Sequence, residues 1–313
     1  MAHAWKACWV KTLGGSNPPS SANINRKIQK NYMWHVFRQD VGILAGTRTS
    51  GHPEIVAPSR ARLIWRFLQS RAKKLVRRVD GKILQARWAV SSNSQPNSLP
   101  QLKASAFDLV STKVINLDHR TDRLAAVSKE MKRLGDQGWV RIPAVDGKKK
   151  YTDLDPLFAG SIACTESHID ALASMDWSSA AAAMICEDDL EFLANRSEIE
   201  GIIEEFLANP LLSVLCLSGR PRGGSFPISR RLRIATGIVG RACYLVKPAA
   251  AQALIAAFQA GIPHLVLGRV AGKGDRMWGR LQRRGYFFAI PRTPIAQQGA
   301  GYSDIEDTML GPR

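Results

Sequence analysis

From about residue 107 onward, short apolar runs alternate with segments in which apolar residues recur every three or four positions. The runs predict buried strands, and the periodic segments predict helices with one apolar face. Strands are predicted at 113–117, 139–145, 181–186, 211–217 and 236–246, and helices at 123–134, 167–177, 195–207 and 248–260. This order predicts an α/β fold with a mostly parallel sheet that is covered by helices on both faces.

A separate helical pattern precedes this region, at 60–88. Its apolar stripe has the spacing of one helical face, and many basic residues surround it; the stripe is Ile64, Leu68, Ala72, Leu75, Val79 and Ile83. Such a helix could bind an anionic membrane surface, or it could pack its stripe on the main domain and leave its charges in water. The flanking segments are polar or rich in turn residues. The sequence therefore predicts a basic, partly disordered extension over 1–105, with Met33 as an alternative start, and one domain over 106–313.

The charge of the chain is concentrated in this extension. The whole sequence has 44 basic and 26 acidic residues, a net charge of +18, but residues 1–105 alone have a net charge of +15. A strongly basic protein indicates nucleic acid or an anionic membrane as a partner. A basic nucleic-acid-binding or membrane-surface protein without catalytic activity is therefore the alternative to an enzyme. The domain itself is close to neutral, so its function has to be inferred from its motifs.

The five cysteines and the apolar segments give information on the location of the protein in the cell. The cysteines have no paired short spacings, which argues against a disulfide framework and against a zinc site. Four of them lie in apolar surroundings and are expected to be buried free thiols. The sequence has no secretory leader pattern and no run of about 18 consecutive apolar residues. These features predict a cytoplasmic protein without a transmembrane helix.

The strongest chemical signal is the triplet Glu187, Asp188 and Asp189 at the end of the strand predicted over 181–186. Ligands of open α/β sheets gather at the carboxyl ends of strands. In extended chain Glu187 and Asp189 would point to the same side and could hold a divalent cation through hard oxygen ligands. The other interpretation is an exposed acidic turn or an acidic helix cap.

Two weaker motifs accompany the triplet. Arginines in the segment 116–123, which follows the first strand, could pair with phosphates, or the segment could simply cap the next helix. Cys164 and His168 are spaced like a nucleophile and its base, but this spacing more often means packing and a polar contact.

The segments 114–124, 141–147, 162–168 and 184–189, in this order and spacing, resemble glycosyltransferase family 25. That family includes β-galactosyltransferases of bacterial lipooligosaccharide and lipopolysaccharide synthesis. The later segments 236–237, 243–251 and 303–305 also resemble it, so the similarity covers about residues 110–306.

The resemblance implies a GT-A fold and an inverting transfer of a sugar, with galactose expected, from a UDP-sugar to a saccharide or lipid-linked acceptor. It implies Mn²⁺ or Mg²⁺ held by Glu187 and Asp189. The residues that it places on the donor are Asn116, Leu117, Arg120, Arg123, Asp146, Ser167, His168 and Asp188. No nucleic acid partner is expected, and the enzyme is expected in the cytoplasm, peripheral on the inner face of the membrane.

The transfer reaction needs a carboxylate that takes a proton from the acceptor hydroxyl. General-base catalysis of this kind is typically worth about 10²–10⁴-fold. Asp275, near the position of an aspartate of the family, is the first candidate, and Asp304 in the closing motif is the second.

Overall fold

The computed structural model describes residues 60–92, 105–136, 138–306 and 308–312. Residues 60–313 belong to one compact unit. Most of the predicted extension, 1–59 and 93–104, lies outside the described residues, so its partial disorder stays a prediction.

Fourteen strands are present in the described residues. They are β1 Val110–Asn116, β2 Val140–Pro143, β3 Ala182–Glu187, β4 Leu190–Phe192, β5 Leu212–Cys216, β6 Arg220–Pro221, β7 Ser225–Pro227, β8 Leu232–Ala235, β9 Ile238–Val239, β10 Cys243–Val246, β11 Phe287–Pro291, β12 Ala296–Gln298, β13 Gly301–Ser303 and β14 Thr308–Leu310. Eight of them form one sheet in the order β2-β1-β3-β10-β5-β11-β8-β7, and β12–β4, β13–β14 and β6–β9 form small two-stranded sheets.

The large sheet is mixed. β1 runs parallel to β2 and to β3, and β11 runs parallel to β5. β10 lies antiparallel between β3 and β5, and β8 lies antiparallel to both β11 and β7. Six of the eight strands therefore point the same way. The predicted α/β class is confirmed, but the parallel order is interrupted where β10 enters the centre of the sheet.

The described helices are α1 Arg60–Ser92, α2 Thr121–Leu134, α3 Gly147–Lys150, α4 Pro156–Ala173, α5 Arg196–Ala208, α6 Pro248–Gln259, α7 Ile262–Val266, α8 Gly274–Met277 and α9 Gly279–Arg283, with 3₁₀ turns at Phe107–Leu109 and Val270–Gly272. Their ends follow from local sequence. Gly135 ends α2 in the left-handed conformation, and Asn195 and Glu198 form the predicted capping box of α5.

Helices cover both faces of the sheet, as predicted. Alternate residues of strand β3, which is buried from Ala182 to Cys186, enter two different cores: Met184 packs with α2 and α5 on one face, and Ile185 packs with α4 and α6 on the other. A strand that is buried on both faces has to be apolar at every position, which explains the continuous run 181–186.

Helix α1 is present where the sequence predicts a helix, but the stripe residues whose side chains are described, from Ala72 to Ile83, face water. Leu75 is 63% exposed, Val79 48% and Ile83 54%. The helix instead contacts the sheet through its C-terminal half: the Trp88 ring lies edge-on to that of Phe287, with 5.1 Å between centroids. These three side chains of the stripe are thus not used for packing on the sheet.

Two predicted elements differ most from the observed ones in their bounds. The strand predicted over 236–246 is interrupted, since Gly237 and Gly240 have left-handed backbone angles (φ of 58° and 87°) that extended chain cannot continue through. The helix predicted over 167–177 begins earlier, because Asp155 caps its N-terminus and Pro156 occupies the first turn.

The segment Pro248–Val266 is long and apolar enough to cross a membrane by length and composition alone, with a mean hydropathy of 1.3. It comprises α6 and α7, which Ala260 and Gly261 separate. Leu254 and Phe258 of α6 are fully buried in the core. This packing is that of a core helix.

Candidate functional site

The acidic triplet lies at the carboxyl end of β3, beside the carboxyl end of β1. Glu187 is the last residue of β3 and pairs in register with Ile115 of β1. The chain leaves the extended conformation after Glu187, so the predicted same-side alternation of Glu187 and Asp189 does not apply. The turn nevertheless brings all three carboxyl groups to the wall of one cavity.

Glu187 is held by side chains from α4 and from the segment before β10. Its Oε1 lies 2.9 Å from His168 Nε2, 3.6 Å from Cys164 Sγ and 3.9 Å from Arg241 Nε. Burial alone would raise the pKa of Glu187, but the hydrogen bond from His168 and the positive charge of Arg241 outweigh it and hold the pKa below its usual range. Glu187 is therefore an ionised carboxylate with a fixed orientation.

His168 is fully buried and does not line the cavity, although the resemblance implies that it contacts the donor. Burial lowers its pKa to about 4, so the ring is neutral at pH 7. Its Nδ1 lies 3.2 Å from the Tyr244 hydroxyl. Since an ionised carboxylate can only accept, Nε2 carries the proton towards Glu187 and Nδ1 accepts from Tyr244. His168 thus orients Glu187.

Asp188 is buried against the end of β1. Its Oδ2 accepts from Asn116 Nδ2 at 2.7 Å, and its Oδ1 accepts from Arg123 at 3.0 Å. Burial raises its pKa although Arg123 and Asn116 oppose this. Asn116 in turn accepts from Arg141 Nε at 3.0 Å. Both oxygens of Asp188 are therefore engaged, and this residue locks the β1 and β3 ends together.

Asp189 is the least satisfied member of the triplet. Its Oδ2 accepts from Gln298 Nε2 at 2.8 Å and from Arg123 at 3.3 Å. Its Oδ1 is buried and has no hydrogen-bond partner in the described residues. Burial, followed by the negative charge of Glu187, raises the pKa of Asp189 to about 7. This oxygen is open to a proton or to a cation.

Two adjoining cavities form a cleft along this sheet edge. The first, of about 180 Å³, is lined by the triplet, by the end of β1 and by the loop before α3. The second, of about 290 Å³, is lined by the segment before β10 and by the start of α8. The cavities share Cys164, Glu187, Gln298, Ser303 and Ile305. The cleft therefore has two compartments that meet at Glu187, and we refer to them as the first and the second compartment.

The loop between β2 and α3 forms one wall of the first compartment. Asp146 caps α3 by accepting from the backbone of Lys148 at 3.0 Å. Ser167 supports the loop, since its hydroxyl accepts from Val145 N at 2.9 Å. A side chain at Gly147 would come within 2.6 Å of Ala159 O, so only glycine permits α3 to pack this closely on α4. Asp146 and Ser167 both line the cavity, as does Leu117.

The remaining predicted residues lie apart from one another. Asp304 lines the first compartment and forms an ion pair with Arg120, which also pairs with Asp122 at 2.9 Å and is not part of the cavity wall. Asp275 lines the second compartment, where its Oδ2 accepts from Gly240 N at 3.1 Å. The two candidate bases thus belong to different compartments.

Cys164, His168 and Glu187 are close enough to hold a metal, since one ligand atom of each lies within 4.8 Å of the others. The protonation of Cys164 and the position of Arg241 argue against a metal at this place. Burial raises the pKa of Cys164 to about 12, so the thiol stays protonated, and Arg241 lies 3.0 Å from its sulfur. A guanidinium already provides the positive charge at this position. A protonated thiol is also a poor nucleophile, in agreement with the packing interpretation.

The donor atoms of Glu187 and Asp189 suit a hard divalent cation better. Both line the first compartment, and each has an oxygen without a protein partner in the described residues, namely Oε2 of Glu187 and Oδ1 of Asp189. Carboxylate oxygens are the ligands that Mg²⁺ and Mn²⁺ prefer.

Sequence reasoning missed the residues that hold the triplet in place: Tyr244, Arg241, Arg141 and Gln298. Arg241 and Tyr244 lie within a segment predicted as plain strand, so the only signal was a charged residue close to a buried run. Gln298 comes from β12, more than one hundred residues after Asp189. Such distant contacts leave no spacing pattern in the chain.

No protein-family model matches the sequence, and no curated protein matches it.

Proposed function

We propose that this protein is a glycosyltransferase with a GT-A-like fold, which moves a sugar, galactose in the first instance, from a UDP-sugar to a saccharide or glycolipid acceptor of cell-surface polysaccharide synthesis. The single observation that carries the proposal is the carboxylate triplet at the wall of a two-compartment cleft. A transferase needs adjoining sites for two substrates, with the reacting groups where the sites meet. The motifs that resemble glycosyltransferase family 25 lie around this cleft.

The first compartment is the proposed site of the nucleotide. Its wall includes Asn116, Leu117 and the Asp146 loop, at the carboxyl ends of β1 and β2. Such strand ends are the usual location of nucleotides in α/β sheets. Arg123 lines the same compartment, beside the carboxylates that would face the diphosphate. It is the proposed partner of the phosphate oxygens, because a guanidinium group can pair with two of them at once.

Mn²⁺ or Mg²⁺ is the proposed cofactor, and Glu187 and Asp189 would hold it. A bound divalent cation would offset the negative charge that develops on the departing diphosphate. The chain prepares this position: His168 and Arg241 keep Glu187 ionised and oriented, while Gln298 fixes one oxygen of Asp189 and leaves the other open.

Asp275 is the proposed general base. It lines the second compartment, in which the acceptor would lie, and among the described residues its only hydrogen bond is the one that Oδ2 accepts from a backbone amide. Asp304 is less suited to the task because Arg120 neutralises it. In the proposed reaction Asp275 takes the proton of the acceptor hydroxyl as the oxygen attacks C1 of the donor sugar and the nucleoside diphosphate leaves.

The proposal is tested by a screen of UDP-sugars with Mn²⁺, in which thermal stabilisation and release of UDP are measured. We expect stabilisation by at least one UDP-sugar, with UDP-galactose first. Asp275→Asn should retain donor binding and lose acceptor-dependent turnover by about 10²-fold or more. Asp304→Asn is the matched variant and should lose less. If no UDP-sugar stabilises the protein, the proposed function is wrong. If Asp275→Asn turns over normally, the assignment of Asp275 as the base is wrong.

Helix α1 is the proposed membrane contact, on the inner face of the cytoplasmic membrane. Leu75, Val79 and Ile83 of its apolar stripe are exposed. Exposed basic residues lie next to them on the same helix, among them Lys74, Arg78 and Lys82. An apolar stripe with a basic border matches an anionic lipid surface.

Vesicle sedimentation tests this contact. The protein should bind vesicles of phosphatidylglycerol and phosphatidylcholine, and binding should fall when the three stripe residues are replaced with serine. Leu193→Ser, which removes an equally exposed apolar side chain elsewhere, should have no effect. Equal binding by the stripe variant and the parent protein would refute the contact.

A further inference from the structure

The second compartment has an unusual charge. Five basic side chains line it, but only three carboxylates do; the basic residues are Arg220, Arg222, Arg241, Lys273 and Arg276, and the acidic residues are Glu187, Asp275 and Glu306. The wall therefore has an excess of two positive charges, although the domain as a whole is close to neutral.

Arg241 brings one of these charges into the interior. Its side chain is only 10% exposed, and its Nη2 lies 3.0 Å from Cys164 Sγ and 3.4 Å from Thr165 Oγ1. Its Nη1 is buried without a hydrogen-bond partner in the described residues. Nη1 lies against Gly274, also part of the wall, where a Cβ atom would come within 1.8 Å of it. A guanidinium nitrogen that is left unpaired in this way costs free energy unless an acceptor reaches it.

Arg241 pairs with Glu187 through Nε, at 3.9 Å, but the other four cations have no such partner. Arg220, Arg222, Lys273 and Arg276 form no ion pair with a carboxylate of the described residues. Cations that are gathered around one concave site repel each other and raise its positive potential. An anion with several oxygens relieves this repulsion, and guanidinium groups bind phosphate oxygens in a paired geometry.

The position of the compartment indicates which substrate brings the anion. The second compartment meets the first at Glu187 and contains Asp275, so under the proposed function it holds the acceptor. The first compartment, which holds the acidic triplet, is the one assigned to the donor. We propose that the second compartment binds a phosphate ester of the acceptor, so that the enzyme selects phosphorylated acceptors over neutral ones. This inference rests on the proposed function for the identity of the substrate, but not for the binding of the anion.

The test is a calorimetric titration of the full chain with inorganic phosphate, repeated in the presence of saturating UDP. We expect a dissociation constant in the millimolar range in both titrations. The variant Arg222→Gln/Arg276→Gln should bind phosphate at least tenfold more weakly and bind UDP as the parent protein does. The matched control is Arg230→Gln/Arg284→Gln, which removes two exposed arginines that do not line the compartment and should leave both affinities unchanged. Circular dichroism checks that both variants are folded.

Three results would overturn the inference. One is the absence of phosphate binding, and another is an equal loss in the two double variants, which would mean a general effect of charge. The third is displacement of phosphate by UDP, which would assign the anion site to the donor diphosphate. Phosphate binding together with a complete failure to bind UDP would refute the proposed function and leave the anion site in place.

Discussion

Replacing Asp189 with asparagine tests whether ionisation of this buried carboxyl group destabilises the folded protein. Burial and the charge of Glu187 raise the pKa of Asp189 from 3.8 to about 7. Asparagine has nearly the shape of the protonated carboxyl group and cannot ionise. The variant should therefore escape the cost that the parent protein incurs when Asp189 loses its proton.

The sign of the effect follows from proton binding. Because the pKa is higher in the folded protein than in the unfolded chain, the folded state holds more protons between about pH 4 and pH 7, and stability falls as the pH rises through this window. One pKa unit corresponds to about 1.4 kcal/mol, so the rise from 3.8 to about 7 corresponds to about 4 kcal/mol as an upper figure. We expect the stability of Asp189→Asn relative to the parent to increase by about 2–4 kcal/mol between pH 4 and pH 8.

Urea unfolding with a metal chelator present, followed by circular dichroism across this pH range, measures the difference directly. Asp170→Asn is the control, since Asp170 is exposed on α4 and its replacement removes no buried charge. The reasoning would be refuted if the difference in stability between the variant and the parent protein did not change with pH. It would also be refuted if the variant lost stability relative to the parent as the pH rises.

Two further substitutions test the groups around the triplet. Gly147→Ala should destabilise the protein by about 1–3 kcal/mol in thermal unfolding, because the added Cβ meets Ala159 O, whereas Gly311→Ala, with nothing within 4 Å, should have no effect. His168→Leu should lower turnover and remove stability together, since Glu187 loses its buried donor, and His168→Gln should restore part of both if donation is what matters. Equal behaviour of the leucine and glutamine variants would mean that His168 acts through packing alone.

The local features of the fold could be predicted because they depend on neighbouring residues. The buried run 181–186 predicts β3, and the Asn195–Glu198 box predicts the start of α5. The position of β10 could not be predicted in the same way. Its antiparallel place between β3 and β5 depends on pairing between segments far apart in the chain.

In the candidate site, too, the residues could be predicted from local sequence, whereas their contacts with distant residues could not. The triplet and Asn116 could be singled out from the sequence because they are polar residues at the carboxyl ends of apolar runs, where α/β sheets bind their ligands. Their individual roles depend on partners that the sequence does not bring near: Arg123 and Asn116 close off Asp188, whereas Asp189 keeps an open oxygen. The stripe of α1 was also visible in the sequence, but only the contacts of Trp88 show that another part of the helix packs on the sheet.

The most direct test of the central claim is the release of UDP from UDP-galactose, measured with and without Mn²⁺ for the parent protein and for Asp189→Ala. The account predicts metal-dependent release by the parent and a loss of about 10²-fold or more in the variant, with the fold retained. Release that is indifferent to metal and unchanged in Asp189→Ala would contradict the assignment of the triplet. Failure of the parent protein to bind or turn over any UDP-sugar would contradict the glycosyltransferase itself.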